Sequence, residues 1–318
     1  MAYTSGDLIL DDHYNIFATG NAAGSATDSA NVNNVWGVGT ADRGYGQTTT
    51  LSAVSAGTTI TATQWATMLS RITSMASHQG SSITAVSSPS AGNTISAFTA
   101  LSTNITTIHT NRLVNSAFAA TAATATAGSG TWATATVHTI TVTFSSTDTA
   151  RYFFNAGGEI RIDTAISGGT GDAKYNEWVD LANTLAGQVV FGSQGTTKTG
   201  GTGSPTVLAT TLGYHDLTTS YQTVYQQYAD SSPYTANYIR VQAKYAGATT
   251  NDGKGNVVTF EVRYQDDAAD NTFDKAVYAN DDIIDGTVTT TTTIAPPSTS
   301  YLADTWGTPS VSGTNSQS

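Results

Sequence analysis

The sequence has 318 residues, no cysteine, 11% charged residues and a formal net charge of −11. The missing thiols exclude disulfide frameworks, thiolate zinc sites, iron–sulfur clusters and cysteine nucleophiles. Twelve Lys and Arg against 23 Asp and Glu, with no basic run, argue against nucleic acid or an anionic membrane as a partner, because neither could be neutralised.

Threonine is the commonest residue, followed by other small side chains, so polarity comes from uncharged groups, as in extended or assembled β structure. The first ten residues, MAYTSGDLIL, have neither a positive n-region nor a long apolar core, and no secretory signal is expected. No stretch approaches the roughly 18 apolar residues of a bilayer span. Short helices are expected at Asp12 to Thr19 and Asp28 to Trp36, each opened by an Asp and followed by Gly20 or Gly37. From Thr63 to His78, Trp65, Met68, Leu69, Ile72, Met75 and Ala76 share one helical face, with Thr61 or Thr63 as cap and Gly80 as stop. Phe98, Leu101, Ile105 and Ile108 repeat the pattern behind Thr94 or Ser96. The Ser, Pro and Gly loop from Gly80 to Asn93 joins the two as an antiparallel hairpin. The outer faces of these helices carry Thr, Ser, Ala and Asn in place of Glu and Lys, which suits either a partner surface or an ordinary Ser/Thr exterior.

Residues 117 to 130, AFAATAATATAGSG, read as a linker. Beyond it the period changes to two. Thr136 to Phe144, Tyr238 to Tyr245 and Asn256 to Gln265 alternate, the last two forming a hairpin across Asn251, Asp252 and Gly253. Further strands are expected at Arg151 to Asp163, Gln188 to Phe191, Thr206 to Tyr214, Tyr221 to Tyr228 and Asp285 to Ile294. Seven or eight short antiparallel strands point to a β-sandwich. One helix, Lys174 to Leu185, covers it. Residues 296 to 318 hold few core formers besides Tyr301, Leu302 and Trp306, so they form an extended arm, either disordered or laid across another subunit. The expected fold is therefore α+β: a helical-hairpin region at 1–116 for docking or oligomerisation, a linker at 117–130, a mainly antiparallel β-sandwich at 131–295 and an arm at 296–318.

The five histidines, His13, His78, His109, His138 and His215, show no metal-ligand spacing, and no GxSxG elbow selects a nucleophile. Asp266, Asp267, Asp270 and Asp274, then Asp281, Asp282 and Asp285, are acidic clusters that do not match a calcium loop. No cofactor is implied. Tyr214, Tyr221, Tyr225, Tyr228, Tyr234, Tyr238 and Tyr245 are concentrated in the β half, where Tyr suits an interface, a carbohydrate-binding face or simple cross-strand pairing.

Several phrases carry a resemblance: HYNIFATGNAAG, VNNVWGVGTADRGYGQ, TTITATQWATMLSRITSMASHQG, ARYFFNAGGEIRI and the closing DDIIDGTV. In these the chain resembles virion structural proteins of tailed bacteriophages, common among marine and cyanobacterial phages. The resemblance implies a non-enzymatic component of the particle, such as a tail, neck or fibre appendage, located in the virion and made in the host cytoplasm. It brings no assigned active site. Its implied partners are copies of itself, with a trimer favoured, and other virion proteins. A host-glycan-binding module using the Tyr-rich sheet is the alternative, and a glycan-cleaving enzyme built on two facing acids a third. Tyr152, Phe153 and Phe154, read as consecutive strand residues, place an aromatic on both faces. With Trp65, Phe98, Tyr301, Leu302 and Trp306 they form the candidate interface set.

Overall fold

The structure, a computed structural model, describes residues 11–20, 30–88, 97–249, 254–268 and 283–317. It is α+β, with two compact units that are each discontinuous in sequence. The first takes Met1–Ala119, Arg151–Gly158 and Pro296–Trp306; the second takes Ala120–Ala150, Glu159–Ala295 and Gly307–Ser318. The first unit thus runs to Ala119 before the chain crosses to the second, and two later segments return to it.

The first unit contains α1 (Asp11–Thr19), α2 (Val32–Trp36), α3 (Ala62–Gln79) and α4 (Phe98–Thr110). Helix α3 begins in a capping box, Gln64 N–H to Thr61 Oγ1 at 3.2 Å and Thr61 N–H to Gln64 Oε1 at 2.8 Å. It ends at Gly80, whose φ of +69° is the left-handed conformation that glycine adopts without strain. Its expected face is the buried one: Trp65, Met68, Ile72, Met75 and Ala76 meet Leu101, Ile105 and Ile108 of α4 and Tyr14 and Phe17 of α1 in one core. Helix α2 is capped by Asn31, a later start than Asp28, which lies outside the described residues, as do Thr94 and Ser96.

With few large apolar side chains, this unit is also held by side-chain amides that pair with distant backbone as a second peptide group would. Asn15 donates to Val54 O and accepts from Val54 N–H, both at 2.8 Å. Asn33 does the same to Leu51, Asn104 to Thr84 and Gln47 to Ala303. Each clamp satisfies one backbone donor and one backbone acceptor at once.

Arg151 to Asp163 is not one strand. Residues Thr147–Asn155 form a helix, α5, because Ser146 caps it through its Oγ, accepting Thr149 N–H at 3.1 Å, and Gly157, at φ +81°, stops it. Tyr152, Phe153 and Phe154 therefore project about 100° apart around a helix, which removes the two-faced strand. Asn155 closes the segment by donating Nδ2 to the carbonyls of Ala41, Arg43 and Gly44 at 3.0–3.1 Å. It thereby fixes a turn in which Ala41 has φ +49°.

The second unit holds eleven strands among the described residues: β1 (Ala123–Ser129), β2 (Ala135–Thr143), β3 (Glu159–Ser167), β4 (Gln188–Phe191), β5 (Thr196–Thr199), β6 (Val207–Leu208), β7 (Gln222–Tyr228), β8 (Tyr238–Ala246), β9 (Val257–Gln265), β10 (Thr287–Ala295) and β11 (Ser310–Gln317). They form two antiparallel sheets, ordered β1-β10-β3-β4-β5 and β11-β2-β9-β8-β7-β6. The sheets face each other as an unclosed sandwich, with Phe191 of β4 edge-on to Phe260 of β9 at 5.1 Å. In β2 the alternation is as expected: His138, Ile140 and Val142 are buried while Thr139, Thr141 and Thr143 are half-buried. The β8–β9 hairpin pairs Tyr238 with Gln265; its turn, Asn251 to Gly253, lies outside the described residues. The covering helix α6 (Ala173–Val179) widens into a π-helical turn, Asp180–Leu185. Thr206 to Tyr214 supplies only the two residues of β6 before a short 3-10 turn at Tyr214–Asp216.

Two expectations are overturned by backbone pairing. The linker at 117–130 contains β1, whose small residues run beside the Thr-rich β10 from Ala123↔Ile294 to Ser129↔Val288. The C-terminal arm is extended and packed on its own chain. Its residues 310–317 pair with β2, because β2 would otherwise present an open edge, and Leu302 and Trp306 are each only 2% exposed.

Candidate functional site

Helices α3 and α4 span 18 and 13 residues and carry a single Lys, Arg, Asp or Glu between them, Arg71. Their outward positions are threonines and serines, and five of the threonine hydroxyls turn back onto their own helix. Thr67 donates to Thr63 O, Thr73 to Leu69 O, Thr103 to Thr99 O, Thr106 to Ser102 O and Thr107 to Thr103 O, at 2.8–3.0 Å. A hydroxyl that donates to the i−4 carbonyl has its one hydrogen satisfied within the helix and keeps only acceptor lone pairs for water. The surface is thus polar in composition but cheap to desolvate. Along α3 it borders an open groove of about 620 Å³, lined by Ala66, Thr67, Ser70, Arg71, Trp36 and Ser88. Arg71 lies over the Trp36 ring at 5.7 Å.

The predicted interface residues do not gather on this surface. Trp65, Tyr152, Phe153, Phe154, Leu302 and Trp306 are buried within the chain. Phe98 is half-buried against Phe17 at 4.9 Å and His13 at 5.4 Å. Tyr301 alone of the eight is exposed, at 49%. Bulk selected core residues; the groups that shape the outer face are threonines, whose back-bonding no spacing rule announces.

Inside the sandwich, a polar cluster joins both sheets. His138 of β2 meets Ser129 Oγ through Nε2 at 2.9 Å and Thr290 Oγ1 through Nδ1 at 2.8 Å, and Tyr264 OH meets the same Thr290 Oγ1 at 2.7 Å. Burial pushes His138 down to about 4, so the imidazole is neutral, held between hydroxyls with no carboxylate. The arrangement fits a buried stitch between sheets. Since the folded chain resists a proton that the unfolded chain takes up near pH 6.5, stability should fall as pH drops from about 6.5 to 4, by on the order of 3 kcal/mol. Urea unfolding at pH 7 and at pH 4.5, compared with His138→Gln, checks this: the variant should lose the part of the pH dependence that His138 carries. His78, which meets Ala156 O at 2.9 Å, is shifted down by burial as well and adds in the same direction.

The acidic residues separate. Asp266 is buried and paired with Lys174, and burial raises its carboxyl above the usual range despite that cation. Asp285 accepts Thr170 N–H at 2.6 Å. Asp270, Asp274, Asp281 and Asp282 lie outside the described residues. Elsewhere Glu177, Asp180 and Asp230 offer oxygens within 4.8 Å of one another, with Glu177 accepting Ser231 N–H at 3.3 Å. The tyrosines divide: Tyr214 and Tyr225 are in the core, while Tyr221, Tyr228 and Tyr238 are half-exposed. Among the described residues no helix is long and apolar enough to cross a membrane. Comparison with protein-family models, with curated proteins and with solved structures found no match to the chain.

Proposed function

We propose that this chain is a non-enzymatic structural component of a tailed-phage particle, of the tail, neck or fibre type, which assembles with itself as a trimer and docks on other particle proteins. The observation that supports the reading is the outer face of α3 and α4, where five hydroxyls are satisfied within the helix and ion pairs are missing. Such a face loses little when water leaves it, and symmetric assembly multiplies one such patch. The aromatic trio of α5 and the C-terminal arm, satisfied within the chain, contribute nothing to this reading.

Light scattering of the purified protein should give the mass of three chains. Thr67→Lys and Thr106→Glu should return the mass of one chain that still unfolds cooperatively in urea, because a buried unpaired charge is costly at an interface and harmless at a free surface. Thr103→Val should remain assembled. A wild-type monomer at micromolar concentration, or charge variants that keep the trimer mass, would overturn the proposal.

A further inference from the structure

The outer face of the six-stranded sheet gathers groups that the assembly reading leaves without a use. Across β7, β8 and β9, Tyr228 opposes Tyr238, Gln226 opposes Arg240, Arg240 opposes Arg263, and Gln242 opposes Glu261. The two tyrosine rings are 5.3 Å apart and tilted by 57°. Arg240 lies over Tyr238 at 5.6 Å, and Lys244 lies over Tyr221 at 4.2 Å. Like charges placed directly opposite destabilise a sheet, and the fold offsets this pair only in part. Arg263 Nη1 donates to Gln265 Oε1 at 3.1 Å and its Nε stands 3.6 Å from Glu261 Oε1. Arg240 Nε and Arg263 Nε are buried and make no hydrogen bond, so a ligand would meet the terminal nitrogens of each guanidinium. In a chain of net charge −11, this face sets three cations, Arg240, Lys244 and Arg263, against one carboxylate, Glu261.

We infer that this face binds an acidic saccharide, a glycan carrying carboxylates on its sugar rings. The backbones of β8 and β9 are paired on both sides, so on this face a peptide cannot add to them as a further strand, and recognition falls to side chains. Tyrosine rings offer flat faces to sugar C–H groups, Gln226 and Gln242 serve hydroxyls as donors and acceptors, and a guanidinium takes a carboxylate with two parallel bonds. A chain this acidic repels a dense polyanion such as double-stranded DNA, with one charge per about 1.7 Å of helix axis. It tolerates the wider charge spacing of a polyuronate. The occupant is therefore defined by sparse carboxylates and stackable rings.

The test uses the whole protein, with polygalacturonate oligosaccharides, a neutral glucan of equal length and double-stranded DNA as probes, followed by calorimetry. The polygalacturonate should bind and the neutral glucan should not. Arg240→Gln and Arg263→Gln should each weaken binding about tenfold or more, the loss of a charge-assisted hydrogen bond. Tyr238→Ala should weaken it as well while leaving its salt dependence unchanged. Oligomer mass is measured on the same samples, so failure of the assembly proposal is read separately. Equal binding of DNA would reduce the face to bulk electrostatics. Unchanged affinity in the Arg240→Gln/Arg263→Gln double variant would place the ligand elsewhere, and a change in oligomer mass in that variant would make the face a contact between copies. Each of these overturns the inference.

Discussion

Truncation after Ala295 should abolish cooperative unfolding of the whole chain. Both units lose material. The first loses Leu302 and Trp306, each 2% exposed, the two-bond clamp between Gln47 and Ala303, both bonds at 3.0 Å, and the bond from Thr305 Oγ1 to Tyr45 O at 2.6 Å. The second loses β11, which leaves the β2 edge open and removes the bonds from Asn315 Nδ2 to Gly128 O at 2.7 Å and Gln317 Nε2 to Gly130 O at 2.9 Å. Burial of one Leu and one Trp stabilises by about 1.5–3 kcal/mol each or more, and whole domains are stable by only about 5–15 kcal/mol. Urea unfolding followed by tryptophan fluorescence and far-ultraviolet circular dichroism reads the result. Tyr301→Ser, at an exposed position of the same segment, should shift stability by less than about 0.5 kcal/mol. A truncated chain that keeps the full midpoint would refute the assignment of these residues to the chain's own core.

The second large effect belongs to α5. Phe153→Ala should cost about 3–5 kcal/mol, since Phe153 and Phe154 are both fully buried and lie edge-on at 5.1 Å. Asn155→Ala should cost on the order of 2–3 kcal/mol, because three carbonyls lose a donor and at least part of that loss is left unsatisfied in the interior. The sharper comparison is Asn155→Asp. A carboxylate of the same shape faces the oxygens of Ala41, Arg43 and Gly44 with no hydrogen to give, so it should cost at least as much as alanine. If Asp proves milder than Ala, the three-carbonyl clamp is not what stabilises the 41–44 turn.

Where a period was long and bounded by strong punctuation, the sequence was readable. Thr61 and Gly80 bracket α3 at both ends, and alternating Val, Ile and Thr places β2, β8 and β9 almost to the residue. The failures have physical causes. Three consecutive aromatics carry no period, so the Ser146 cap and Gly157 stop decided for helix against the β preference of Tyr and Phe. Ala and Thr in β1 looked too small for a core, yet small side chains suit a strand lying beside the Thr run of β10. The arm looked apolar-poor because its main stabilisation is backbone pairing with β2, which leaves no trace in hydropathy. The amide clamps were invisible for the same reason: Asn and Gln look alike whether they bond water or the backbone of a distant loop. Of the outer helix face, the lack of charge was legible and the inward turn of the hydroxyls was not.

The division of the chain has a consequence for its synthesis. The helices that begin at Asp11 belong to a unit that also needs residues 151–158 and 296–306, so the ribosome must translate past Trp306 before that unit can close. Until then the early helices wait as nascent chain, and long-range closure of this kind is slow and exposed to aggregation. The two units then mature nearly together, once the residues beyond 295 are available, and a ribosome stalled before residue 296 releases a product with neither unit complete.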